Sequence, residues 1–299
     1  MVRVFILGGT GTIGTAIVAE LVRRNHQVVA LSRSEKSDKS LRVAGAVPCR
    51  GDMTEPEPWA DVASTSDAVV QVAATFGDDM GDVDAKAMNA LIEASQTRTE
   101  PMGLIYTGGC WLYGETGDEI AVEERPFDPL PAFSWMVNHA QMLLSAVNLR
   151  TAVIHPAMVY DMQDGGVFHR FVAAAKVGQR PEIWGSAATR WPLIESADLA
   201  RAYCDLVERS DLVGHFNVVA EEGVTVSRIT TVISEAFGSP EEPIIRSLDD
   251  AIAENGDWAK GPTLDQQMSA RKLRSALGWQ PETTDFAKPI SRWIAGLGD

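Results

Sequence analysis

The chain is short of cysteine, of positive charge and of long apolar runs. Its 299 residues hold three cysteines, Cys49, Cys110 and Cys204, far apart and odd in number. They lack metal-type spacing and cannot all pair, which excludes a disulfide-stapled scaffold and leads us to expect reduced thiols in a cytoplasmic protein. No His/Cys/Asp/Glu cluster has the spacing of a metal site either, and His26, His169 and His215 read as incidental. Lysine and arginine number 26 against 41 acidic residues, a formal charge of −15. The densest basic stretch is only Arg271-Lys272-Leu273-Arg274, so nucleic acid is not an expected partner. No run of 18 apolar residues occurs, so no membrane span is expected. The apolar N-terminus is broken by Gly8-Gly9-Thr10-Gly11 and lacks a small-residue cleavage pattern; it reads as a strand rather than a leader. What is present, 45% hydrophobic and 22% charged residues, is the composition of a globular domain with a sizeable core.

The first half alternates strand-like and helix-like segments. Val2–Leu7 is a short aliphatic run that stops at glycine, and from Thr12 to Arg24 the residues Ile13, Ile17, Val18, Leu21 and Val22 recur at helical spacing. Further strands are expected at Gln27–Leu31, Ala46–Cys49, Ala68–Val72, Leu104–Thr107 and Thr151–His155, with helices at Val83–Ser95 and Phe133–Val147. Strands separated by helices imply crossover connections, hence an α/β fold with a doubly wound parallel sheet. After Val159 the elements are smaller: helices near Val167–Val177, Ser196–Arg209, Thr225–Phe237, Ser269–Leu277 and Asp285–Ile294, and strands near Glu182–Trp184 and His215–Val219. We therefore expect a nucleotide-binding core over 1–160, rejoined by a strand and helix near 191–219, and a smaller substrate lobe over most of 161–299. The segment Glu115–Asp128 carries six acidic residues and one arginine, which suits a solvated loop or a rim over a cleft.

The strongest motif is Val4-Phe5-Ile6-Leu7-Gly8-Gly9-Thr10-Gly11-Thr12-Ile13-Gly14, set between a strand and a helix. The unpaired N–H groups of a helix N-terminus suit a pyrophosphate, and glycines admit the tight turn and the close approach. Residues 8 to 14 are thus expected to hold a dinucleotide. At the end of the second strand, where an acidic residue would hold the 2′-hydroxyl of NAD, the chain has Leu31-Ser32-Arg33-Ser34. Arg33 can pair with a 2′-phosphate and the serines can donate to it, so NADP(H) is expected over NAD(H).

With these residues the chain resembles the short-chain dehydrogenase/reductase superfamily, and more narrowly its extended, NAD-dependent epimerase/dehydratase-like group, with a Rossmann-type sheet. Gly8, Gly11 and Gly14 match the glycine pattern GxxGxxG. Gly51-Asp52-Met53 resembles the segment that borders adenine, and Val72-Ala73-Ala74 the one behind the adenosine ribose. Tyr106-Thr107-Gly108-Gly109-Cys110-Trp111-Leu112-Tyr113-Gly114 resembles the segment ending in Tyr-Gly after strand five. Val153-Ile154-His155-Pro156-Ala157-Met158-Val159-Tyr160 resembles the stretch near the nicotinamide, which implies cofactor contacts from His155, Pro156 and Met158. Trp191 to Ala200 and Leu277-Gly278-Trp279-Gln280-Pro281 resemble later family segments, so the resemblance runs nearly the whole length.

The resemblance also implies an acid/base Tyr followed four residues later by Lys. Of the four tyrosines, Tyr106, Tyr113, Tyr160 and Tyr203, none is followed so. The matching helix reads Phe133-Ser134-Trp135-Met136-Val137-Asn138-His139, and the usual serine position holds Gly109, with Thr107 the nearest hydroxyl. His139 is a candidate general acid, since imidazole titrates near neutrality, with Tyr113 or Thr107 binding the substrate carbonyl. Three readings stay open: an NAD(P)-dependent oxidoreductase acting on a small carbonyl compound or sugar derivative, an epimerase or lyase with bound nucleotide, and a non-catalytic NADP(H) sensor. Tyr160 and several tryptophans are candidate pocket walls. Arg170, Arg180 and Arg190 are candidate phosphate contacts should the substrate be a sugar nucleotide, and a homodimer is a possible assembly.

Overall fold

In the computed structural model, which describes residues 1–75, 77–238 and 242–297, strand and helix alternate from the first residues. The order is β1 (Arg3–Leu7), α1 (Thr12–Arg23), β2 (Gln27–Ser32), α2 (Glu35–Val43), β3 (Val47–Arg50), α3 (Glu57–Ser64), β4 (Ala68–Gln71), α4 (Met80–Ser95), β5 (Met102–Thr107), α5 (Trp135–Ser145) and β6 (Leu149–Pro156). There follow β7 (Met158–Tyr160), α6 (His169–Lys176), β8 (Glu182–Trp184), β9 (Arg190–Glu195), α7 (Ser196–Glu208) and β10 (Gly214–Val218). The chain ends through β11 (Glu221–Thr225), α8 (Val226–Ala236), β12 (Ile244–Arg246), α9 (Leu248–Asn255), α10 (Arg271–Leu277) and α11 (Ala287–Gly296).

Seven strands form the main sheet in the order β10-β6-β5-β4-β1-β2-β3, and the pairings from β3 through β6 all run parallel. Alternate side chains of a strand face opposite sides. Phe5, Leu7, Val29, Leu31, Val69, Leu104, Tyr106 and Val153 share one core with Trp59 and Ala63 of α3, Ala87 and Leu91 of α4 and Leu143 of α5. Trp59 stacks on Phe5 at 5.9 Å between ring centroids. Val4 and Ile6 are equally buried, as are Ile17, Val18 and Leu21 of α1. A sheet buried on both faces reads as continuous aliphatic runs, which is why its strands were visible in the sequence.

Two helices of this part, α2 and α3, were not expected. α2 (EKSDKSLRV) buries only Leu41, so it has no apolar stripe; its start is set by Ser34, whose Oγ accepts from the Ser37 N–H at 3.1 Å. α3 has eight residues, too few for a clear period.

The chain divides into two compact units, each built from three segments. The first is Met1–Gly108, Trp135–His155 and Leu199–Phe216; the second is Gly109–Ser134, Pro156–Asp198 and Asn217–Asp299. In the second unit β9 pairs antiparallel with β11 and parallel with β7, and β8 pairs parallel with β12. Its interior is aromatic: Phe168 stacks on Tyr160 at 5.0 Å, and Phe171 stacks on Trp191 at 5.9 Å. The acidic segment Glu115–Asp128 is a loop with Glu115, Asp118, Glu119 and Glu124 exposed, and it is pinned at two points. Ala121 is buried and bridges Met268, and the Glu123 carboxylate accepts the Asn217 N–H at 2.8 Å.

Candidate functional site

In the sheet order, β1 and β4 are the neighbours where the chain's winding reverses, and open α/β sheets bind ligands at the carboxyl ends of such a pair. A cleft of about 360 Å³ opens there. After β1 it is lined by Gly8, Thr10, Gly11, Thr12, Ile13 and Gly14; after β2 by Arg33 and Ser37; after β3 by Asp52 and Met53; after β4 by Val72, Ala73, Ala74 and Thr75.

The backbone explains the glycines. Gly8 has φ +90°, and a Cβ there would lie 2.7 Å from the Ala73 backbone nitrogen. A Cβ on Gly14 would lie 2.0 Å from the Gly8 carbonyl oxygen. The first turn of α1 has no side-chain cap and no acidic residue, so its leading N–H groups keep their donors and the helix dipole its positive end. An uncapped helix start above a turn that admits no side chain at Gly8 or Gly14 fits a dinucleotide pyrophosphate.

Of the residues read as cofactor contacts, Gly9 packs below the turn, where a Cβ would meet Ala30, Val18 and Leu41. Ser32 is buried and donates to the Ser34 carbonyl, while the Ser34 hydroxyl caps α2; both serines therefore have structural partners already. Arg33 is exposed and lines the cleft with no salt-bridge partner among the described residues. Asp52 accepts from the Thr54 N–H at 2.9 Å and the Thr54 hydroxyl at 2.8 Å, and these bonds, with the charge of Arg33, hold its carboxyl below the usual range. His155, near the end of β6, is wholly buried, with Nε2 2.9 Å from His215 Nδ1 on β10. Pro156 ends β6, and Met158 opens β7 in the second unit.

The three residues read as catalytic are placed differently. Thr107 Oγ1 donates to the Gln71 carbonyl at 2.6 Å and so accepts from the Tyr203 hydroxyl at 2.7 Å; its single proton is committed to the sheet. Tyr113 is 1% exposed in the second unit and donates to Asn217 Oδ1 at 2.8 Å. Burial pushes its phenol well above the usual value. His139, on α5, places Nδ1 2.7 Å from Asp84 Oδ2, lies against Trp135 at 5.0 Å between rings, and is 14% exposed at its side chain.

Asp84 was missed in the sequence. It is 4% exposed and central to a buried cluster: Oδ1 accepts from Gln71 Nε2 at 2.7 Å, and Oδ2 takes the Tyr106 hydroxyl at 2.8 Å beside His139. Gln71 in turn accepts the Ala73 N–H at 2.9 Å, so the cluster reaches the cleft wall. Burial, then the Asp84 charge, keeps the Tyr106 phenol protonated. The only signal for Asp84 was a carboxylate on the apolar side of α4, between Val83 and Ala87.

Tyr160 is fully buried, stacks on Phe168 and is not among the residues that line the cleft above. Arg190 is gripped by Asp265 and reaches Asp118 at 3.0 Å, and Arg180 donates to the Glu242 carbonyl. Arg170 lies 3.5 Å over the Trp184 ring.

Comparison with known proteins agrees with this fold. The chain is 26% identical to an uncharacterised protein of Saccharomyces cerevisiae over 299 residues, 96% of this chain and 97% of that one. It is 24% identical to a dTDP-4-dehydro-6-deoxy-D-allose reductase of a Streptomyces species, covering 80% of this chain and 82% of the relative. The human epimerase family protein SDR39U1, solved with NADPH, superposes with a TM-score of 0.77 at 22% identity, over 98% of this chain and 99% of that one. The model of the NAD dependent epimerase/dehydratase family matches residues 4–219, and the chain belongs to that family.

Proposed function

We propose that this protein is an NADP(H)-dependent reductase of a small carbonyl compound or sugar derivative, in which His139 takes the place of the missing Tyr/Lys pair as proton donor. The observation that carries the reading is the hydrogen-bonded path from Ala73, on the cleft wall, through Gln71 and Asp84 to His139. Residues 8–14 bind the pyrophosphate through the open turn of α1, and Arg33 meets the 2′-phosphate. A bound nicotinamide supplies the hydride. The imidazolium form of His139 gives the carbonyl oxygen its proton from Nε2 and becomes the neutral ring, while Nδ1–H stays on Asp84. Thr107 and Tyr113, whose hydroxyl protons are held by Gln71 and Asn217, serve as scaffold in this reading. Residues 161–299 form mainly the substrate lobe. Arg190, already neutralised by two carboxylates, favours a small carbonyl over a phosphate-bearing substrate. A cytoplasmic homodimer completes the proposal, and sedimentation tests its assembly.

One observation favours the sensor reading: Trp135, whose indole N–H does not ionise at biological pH, stands where the acid/base tyrosine is expected. NADPH oxidation across a panel of aldehydes, ketones and keto-sugars separates the two. Turnover that falls roughly 10²–10⁴-fold in His139→Gln supports the reductase. Tight NADPH binding with no turnover on any member of the panel supports the sensor.

A further inference from the structure

We infer that Asp84 is a positioning residue that keeps a proton on His139 Nδ1 and so reserves Nε2 for proton exchange with the substrate. The inference rests on the reductase reading for its consequence, but not for its geometry.

Asp84 is buried and surrounded by donors. The Ala73 N–H needs an acceptor, which turns the Gln71 amide oxygen toward it and presents the Gln71 NH₂ to Asp84 Oδ1. The Tyr106 phenol, kept protonated by burial and by the carboxylate itself, donates to Oδ2. Two donors from fixed elements, β4 and β5, thus leave the carboxylate acting as acceptor when it meets Nδ1 at 2.7 Å. An imidazole whose Nδ1 donates to a carboxylate has its neutral tautomer and ring orientation decided by that bond. The Trp135 ring lies against the imidazole at 5.0 Å, and Gly81 of α4 admits the indole, since a Cβ there would come within 3.0 Å of it. His139 Nε2 makes no hydrogen bond among the described residues. Gln71, Tyr106 and Asp84 are therefore arranged around one outcome, a ring held by one nitrogen and available at the other.

The test reads the tautomer directly. The intact protein is labelled with ¹⁵N-histidine, His139 is assigned by its loss in His139→Gln, and long-range ¹⁵N–¹H spectra are recorded at alkaline pH with and without NADPH. The expected wild-type pattern is the Nδ1–H tautomer; Asp84→Asn shifts it toward Nε2–H. In turnover, Asp84→Asn lowers kcat about 10–100-fold with little change in KM, and has no further effect when added to His139→Gln. A wild-type ring carrying its proton on Nε2 overturns the inference. So does an unchanged tautomer in Asp84→Asn while that variant still binds NADPH as wild type does. Should Asp84→Asn fail to fold, the wild-type spectrum alone still decides. Full activity in His139→Gln would defeat the reductase reading instead, and would leave the tautomer result standing.

Discussion

Gly14 shows how one atom can decide whether the cleft exists. The hydrogen it carries instead of a Cβ keeps 2.0 Å of clearance from becoming a collision with the Gly8 oxygen. Because the obstacle is backbone, it cannot swing aside. Gly14→Ala is expected to destabilise the protein by about 1–3 kcal/mol and to abolish measurable NADPH binding, read by thermal unfolding and calorimetry. Arg33 acts oppositely, through what it adds. An exposed guanidinium with no salt-bridge partner among the described residues is available to a 2′-phosphate, and hydrogen bonds to charged groups contribute about 1.5–3 kcal/mol. Arg33→Ala should therefore weaken NADPH roughly 10–100-fold and leave NADH nearly unchanged; equal losses would remove the NADP assignment. The strained glycines of the turn and the exposed charge of Arg33 were legible as features because backbone geometry and charge are properties of single positions. Asp84 was not, because its partners Gln71, Tyr106 and His139 come from three other elements, brought together only by the crossovers.

Long elements with an apolar stripe declared themselves; among the short or polar ones some, such as β8 and α10, were also found, and others were not. α1, α7 and α8 carry buried residues at helical spacing and were located to within a residue or two, whereas α2 and α9 bury one residue each. What starts α9 is a local bond: the Ser247 hydroxyl accepts the Asp250 N–H at 3.1 Å and donates to its carboxylate at 2.6 Å. With one buried residue to anchor the helix, the cap matters more than usual. Ser247→Ala should cost about 0.5–2 kcal/mol, visible as a lower urea midpoint with unchanged cofactor affinity. The strands β7, β9 and β11, of three to six residues, escaped the sequence reading because they belong to a small mixed sheet without regular crossovers.

Across the molecule, acidic groups pull stability in two directions with pH. Arg190 holds Asp265 by two side-chain bonds and one backbone bond, which keeps its carboxyl below the usual value. The native state therefore binds fewer protons than the unfolded chain at this site, and its contribution is complete above the usual Asp value of about 4 and lost as pH falls below it. Burial raises Glu123, Glu195 and Glu221, so their ionisation weakens the fold as pH rises through the upper carboxylate range. In urea titrations, the stability difference between wild type and Asp265→Asn should be full at neutral pH and shrink toward zero in strong acid. A difference independent of pH would refute the assignment.

The order of residues alone decided the parallel sheet, the turn at Gly8–Gly14 and the basic residue after β2, since aliphatic runs, glycines and charges act over distances of a few positions. Only folding in three dimensions decided that Thr107 and Tyr113 have their protons bound elsewhere, that His155 faces His215, and that His139 rests on Asp84. Each of those outcomes joins residues at least 36 positions apart, and a hydrogen bond depends on where two atoms arrive rather than on which residues precede them.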